Sequence, residues 1–183
     1  TEIEVDAFGQ QIGGEYGVAS CGKADDGSVV SEHDCHRILR AAGLPVAAGR
    51  LAASAGDAAA AWRDIGAPVA MKGISPQVTH RAAAGLVALD LRDEAGVRRA
   101  FDALSGTARE AGIALDGVYV QEMVAGGAEV IVSALRDPVA GVVVSCGAGG
   151  ALTELIDDVV IARAPLDVEG ARAALGRLRL VQG

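Results

Sequence analysis

Lysine is almost missing from this chain. It occurs only at Lys23 and Lys72, so nearly all of the 16 basic residues are arginine. Aromatic residues make up 3% of the 183, and the core must therefore be built from Ala, Val, Leu and Ile. Cysteine is limited to Cys21, Cys35 and Cys146, spaced neither as CxxC nor as a metal set, which predicts reduced thiols and a cytoplasmic protein. No apolar run reaches the roughly 18 residues that span a bilayer. The acidic N-terminal stretch carries no apolar leader segment, so no signal peptide and no membrane partner are expected. Net charge is −8 and the isoelectric point is near 4.8, which excludes a broad electrostatic surface for nucleic acid while allowing a local basic pocket. Three histidines, His33, His36 and His80, form no HExxH, and the His33–His36 pair reads as a solvated first helical turn.

What is present is a hydrophobic, foldable chain: 51% apolar residues and a mean hydropathy of +0.33 argue against disorder. Residues 1–30 are polar and glycine-rich and read as an arm or linker. Ser31 and Asp34 open a helix that Gly43 ends. A turn and short strand over 45–52 precede a helix capped by Ser54. Strands follow at 69–74 and 86–91, then a helix from Asp93 to about Ala111. Strands at 117–124, 129–137, 141–147 and 158–163 come next, and Asp167 opens a last helix. Helices alternate with strands first and hairpins follow, which predicts a mixed α/β or α+β fold in two lobes, residues 31–115 and 116–183.

Two stretches carry chemistry. PVAMKGISPQVTH, Pro68 to His80, sets Lys72 inside an apolar strand, where a charge is costly unless an anion meets it. VYVQEMVAGGAEVIVSALRDP, Val118 to Pro138, ends an apolar strand in Gln121–Glu122 and continues through a glycine pair to Glu129. A lysine for phosphate beside a strand-end hinge for a base points to ATP.

At these residues the chain resembles the ATP-grasp domain of ADP-forming acid–CoA ligases, the acyl-CoA synthetases related to the succinyl-CoA synthetase beta subunit. SEHDCHRILRAAGLPV is similar to that family's opening helix and turn, PVAMKGISPQVTH to its PVVLKxxSPxxxH strand and loop, VQEMVAGGAEVIV to its hinge, and RDPVAGVVVSCGAGGALTELIDDV to its DPxFGxxxxFGxGGxxxExxxDV segment. The resemblance implies that Lys72 holds ATP phosphates with Arg50 as a second cation. It implies that Gln121, Glu122 and Met123 meet adenine, that Glu129 binds the ribose, and that His80 relays a phosphoryl group. Gly147, Gly149 and Gly150 would approach a phosphate or acyl phosphate, with Glu154 and Asp158 at the family's carboxylate positions. Plainer readings stay beside these: a snorkelling strand-end lysine for Lys72, a solvated strand residue for Arg50, a hairpin-start residue for Glu129, a loop histidine for His80, and element-start charges for Glu154 and Asp158. The implied cofactors are ATP or ADP and Mg²⁺. The implied partners are a CoA-binding domain or subunit, CoA and a small carboxylic acid, in an oligomer.

The chain also departs from that pattern. His80 is followed by Arg81–Ala82–Ala83 where the family has HKSD, Cys146 replaces the aromatic before the glycines, and Arg163 comes one place late. The family's later DxNP motif, which supplies magnesium ligands, is not present before Gly183, so the second lobe is expected to be incomplete and the metal ligands stay unassigned. An ATP-dependent ligase domain is one expectation; a degenerate, non-catalytic module with a regulatory or assembly role is the other. A plain interaction subunit fits the solitary Lys72 less well.

Overall fold

The computed structural model describes residues 4–6, 21–23, 30–66, 68–78, 81–123, 130–149 and 158–179. In chain order the elements are β1 (Glu4–Asp6), β2 (Cys21–Lys23), α1 (Glu32–Ala41), β3 (Gly49–Ala52), α2 (Ala55–Ile65), β4 (Val69–Ile74) and β5 (Val87–Leu91). There follow α3 (Glu94–Glu110), β6 (Gly117–Glu122), β7 (Val130–Asp137), β8 (Gly141–Ala148), β9 (Val159–Arg163) and α4 (Val168–Leu175). Each helix begins where a short polar side chain accepts from an amide three residues on: Ser31 from Asp34, Ser54 from Asp57, Asp93 from Gly96 and Asp167 from Gly170. The chain turns after α1 and α3 through Gly43 and Gly112, both at positive φ, a region that costs glycine little.

Two compact units result, residues 31–124 and residues 1–30 with 125–183. The first holds a four-stranded antiparallel sheet in the order β3-β6-β4-β5. Val69 and Met71 of β4 and Val118 and Val120 of β6 share one face, because antiparallel partners point the same way. They meet Ala58 and Ala61 of α2 and Val97 and Leu104 of α3 in the core. Burying each of the larger of these side chains contributes about 1.5–3 kcal/mol.

The second unit is a five-stranded antiparallel sheet in the order β2-β1-β7-β8-β9. Cys146 of β8 and Val160 of β9 pack with Leu178 and Ala174 at the α4 end. The division falls after Val124 instead of after residue 115, because β6 is an inner strand laddered to both β3 and β4. Residues 4–6 and 21–23, inside the stretch that composition reads as an arm, form a strand pair that joins β7.

Candidate functional site

On β4 the side chains alternate, so Lys72 points away from the Val69–Met71 core face and shares the other face with its cross-strand partner Tyr119 and with Gln121. Helix α1 covers this face. Its buried stripe is polar: Glu32, Cys35 and His36, at i, i+3 and i+4, are the residues it hides from solvent.

Lys72 is only 4% exposed, and the anion it needs is Glu32, which is fully buried. Lys72 Nζ donates to Glu32 Oε1 at 2.6 Å and to Gln121 Oε1 at 2.9 Å. The other carboxylate oxygen, Oε2, accepts from Arg81 Nη1, also at 2.6 Å. One carboxylate thus bridges two cations, and the group carries a net charge of +1 in a buried setting. Breaking such a set by removing one member is far more costly than breaking a surface pair. The first turn of α1 suits Glu32, since the free amide ends of a helix favour negative charge.

Beside this network His36 Nδ1 and the Tyr119 hydroxyl lie 3.0 Å apart, and both side chains are buried. His33 and His36 each meet the Tyr119 ring edge-on. The solvated first turn expected from sequence is therefore not what His36 occupies: it is 1% exposed and bonded across the sheet. Burial, and then the nearby Glu32 carboxylate, push the Tyr119 hydroxyl up to about 12, so it stays neutral. Gly49 on β3 leaves room for this ring; a Cβ there would collide with the Tyr119 hydroxyl.

The remaining sequence candidates fall in several places. Arg50 pairs with Val120 across the strands and so lies on the α2–α3 face, opposite to Lys72; its Nη1 meets Asp64 of α2 at 3.3 Å. The structure does not bring Arg50 and Lys72 together. At the hinge, Glu122 N donates to Ala48 O at 2.8 Å and Met123 N to Pro68 O at 3.1 Å, while the Glu122 carboxylate accepts from Ala48 N. Gln121 is buried and faces Lys72.

In the other unit, a Cβ on Gly147 would come within 2.9 Å of the Asp158 carbonyl, so close approach of β9 accounts for that glycine. Gly149 is buried, and Asp158 is 5% exposed with Arg179 Nε 3.6 Å from its carboxylate. His80, Glu129, Gly150 and Glu154 lie outside the described residues. Among the described residues no cluster of three His, Cys, Asp or Glu side chains is placed to hold a metal, and no helix is long and apolar enough to cross a membrane.

Sequence reasoning missed Glu32, Arg81, His36 and Tyr119. Glu32 looks like any first-turn acid, and its partner stands 40 residues away. The only signal was the unexplained charge on Lys72, which demanded an anion without saying which.

A family described as an ATP-grasp domain matches residues 22–182, most of the chain. The chain belongs to the ATP-grasp family. A 4-hydroxybutyrate–CoA ligase (ADP-forming) of Nitrosopumilus maritimus is 34% identical to this ATP-grasp chain over 157 residues, 83% of it and 22% of the relative. The beta subunit of acetate–CoA ligase (ADP-forming) I of Pyrococcus furiosus is 35% identical over 151 residues, 81% of this chain and 65% of the subunit. The ATP-grasp chain thus spans between a fifth and two thirds of the length of these curated relatives. Among solved structures, the dinucleotide-forming acetyl-coenzyme A synthetase 1 of Ca. Korarchaeum cryptofilum, in complex with coenzyme A and Ca-AMPCP, superposes with a TM-score of 0.77 at 35% identity, covering 82% of this chain and 68% of that one. Another form of the same synthetase, holding Mg-AMPPCP, gives a TM-score of 0.69 at 33% identity over 82% of this chain and 64% of that one.

Proposed function

We propose that this ATP-grasp chain is the nucleotide-binding and phosphoryl-transfer part of an ADP-forming acid–CoA ligase, which converts an acid, CoA and ATP to acyl-CoA, ADP and phosphate. The observation that carries the reading is the buried Lys72, whose network keeps a net positive charge on the face of the sheet that ends in the hinge. An ammonium has three N–H donors, and Glu32 and Gln121 take two. We assign the third to a phosphate oxygen.

The base is assigned to the hinge at Gln121, Glu122 and Met123. The amides of Glu122 and Met123 are spent on Ala48 and Pro68, which leaves carbonyl oxygens to accept from the 6-amino group of adenine. Glu129 is assigned to the ribose and His80 to phosphoryl relay. The glycines at 147, 149 and 150, with Glu154 and Asp158, are assigned to the acyl-phosphate end. Arg50 has no part in this assignment. Mg²⁺ is taken to arrive on the nucleotide phosphates, where it supplies charge neutralisation. The partner is a CoA-binding domain or subunit.

Nucleotide affinity of the intact protein and of Lys72→Met tests this reading. Methionine keeps the apolar stem packed and removes the charge, and Glu32 retains Arg81. Loss of a charged phosphate contact is expected to cost about 1.5–3 kcal/mol of ATP affinity. Equal affinities would sink the assignment. A second reading, a non-catalytic module with a regulatory or assembly role, draws on the loss of the family's Ser and Asp after His80. Tight ATP binding by the intact protein without any phosphoryl transfer selects it.

A further inference from the structure

The Glu32 carboxylate holds Lys72 with one oxygen and Arg81 with the other, each at 2.6 Å. These bonds span 40 and 49 residues of sequence and tie α1, β4 and the loop after residue 80 into one buried group. Two cations and one anion leave +1 unmatched. Both cations also retain donors. Lys72 has its third N–H, and the Nε–H of Arg81 is buried with no partner among the described residues. A buried guanidinium donor without an acceptor is costly, and a ligand that supplies one removes that cost.

We propose that Glu32 is a positioning residue that locks Lys72 and Arg81 into a two-cation clamp for a phosphoanion, and that Arg81 is the second cation of the site. The proposal rests on the nucleotide reading for the identity of the phosphoanion. Arg50 cannot supply this second charge to Lys72's ligand, because it projects from the other face of the sheet and is engaged with Asp64. Arginine suits the task, since its planar fork can hold Glu32 with one edge and a phosphate oxygen with another. A carboxylate inside an anion site opposes the ligand by charge alone. Its presence makes sense when the gain from holding two cations in one geometry exceeds that repulsion.

The sign of one substitution separates the two effects. Removing the negative charge in Glu32→Gln would tighten anion binding if charge alone mattered; loss of positioning would weaken it. The experiment measures affinity for inorganic tripolyphosphate and for Mg·ATP by calorimetry, using the intact protein, Glu32→Gln, Arg81→Gln, the double variant and Glu32→Asp. Arg98→Gln, a charge loss on the exposed surface of α3, is the control. Arg81→Gln is expected to weaken tripolyphosphate about ten-fold or more, the worth of one charge-assisted bond. Glu32→Gln is expected to weaken it about five-fold despite the added positive charge, and to add little once Arg81 is gone, as coupled residues do. Glu32→Asp keeps the charge and is one methylene too short to hold both cations, so it guards against misfolding of the glutamine variant and is expected to weaken binding as well.

Tighter binding by Glu32→Gln, additive losses in the double variant, or an Arg81→Gln effect no larger than that of Arg98→Gln overturns the clamp. If ATP binds and ignores both substitutions, the clamp falls and the nucleotide reading stands. If tripolyphosphate binds through Arg81 while ATP binds no better, the clamp stands and the nucleotide reading falls. If the wild type binds neither, both fall.

Discussion

The His36 imidazole and the Tyr119 hydroxyl meet 3.0 Å apart across 83 residues of sequence, and that contact seats α1 on the polar face of the β3-β6-β4-β5 sheet. Lys72 is the cross-strand partner of Tyr119, so the same seating brings Glu32 down onto Lys72. Glu32, Cys35 and His36 are the buried residues of the helix and Ile38 and Leu39 are half-buried, while Ala41 and Ala42 stay exposed.

Glu32→Gln should therefore be costly for folding as well as for binding. It leaves two buried cations without a countercharge, and breaking a buried pair in this way costs about 3–5 kcal/mol. Urea unfolding of the intact protein reads the loss. A change under about 1 kcal/mol, the range of an exposed pair, would show that the network is solvated in solution.

Gly49→Ala should destabilise the first unit through one ring. The new methyl group would occupy space held by the Tyr119 hydroxyl, and the ring cannot move without losing His36. Overpacking of this kind costs about 1–3 kcal/mol. A thermal melt measures it, and an unchanged melting temperature would place the ring elsewhere.

Alkaline pH should weaken the fold by way of Tyr119. Its hydroxyl is raised from 10.0 to about 12 in the folded chain, first by burial and then by Glu32. The unfolded chain ionises this group earlier, so its contribution is whole below about pH 10 and is lost as pH rises from there toward about 12. Comparing unfolding free energies of wild type and Tyr119→Phe across that window isolates the effect, since other groups titrate alike in both. A difference that stays flat with pH contradicts the raised value.

Glu129→Gln should weaken ATP more than it weakens inorganic triphosphate, because only ATP carries a ribose. Calorimetry with the two ligands makes the comparison. Equal weakening would assign Glu129 a structural role.

Local chemistry determined a good deal here. The caps at Ser31, Ser54, Asp93 and Asp167 start helices in the structure, because a cap bonds within its own turn and needs no distant partner. The apolar runs VAMKGI and GVYVQE marked two strands, and Lys72 stood out because it broke an apolar run. Four motifs in order also carried the family resemblance, which the match over residues 22–182 bears out.

Tertiary structure alone decided what those residues do to one another. That Lys72 faces Glu32 while Arg50 faces away depends on the register between β3 and β6, since one step along a strand exchanges the faces of a sheet. That His36 is buried depends on where α1 docks, and a polar stripe gives no hydrophobic period from which to read it. Residues 4–6 and 21–23 have no pattern of their own; pairing with each other, and of 4–6 with β7, makes them strands. The sequence named the charge that needed a partner. Only the fold, by bringing together residues 40 and 49 positions apart, chose the carboxylate that answers it.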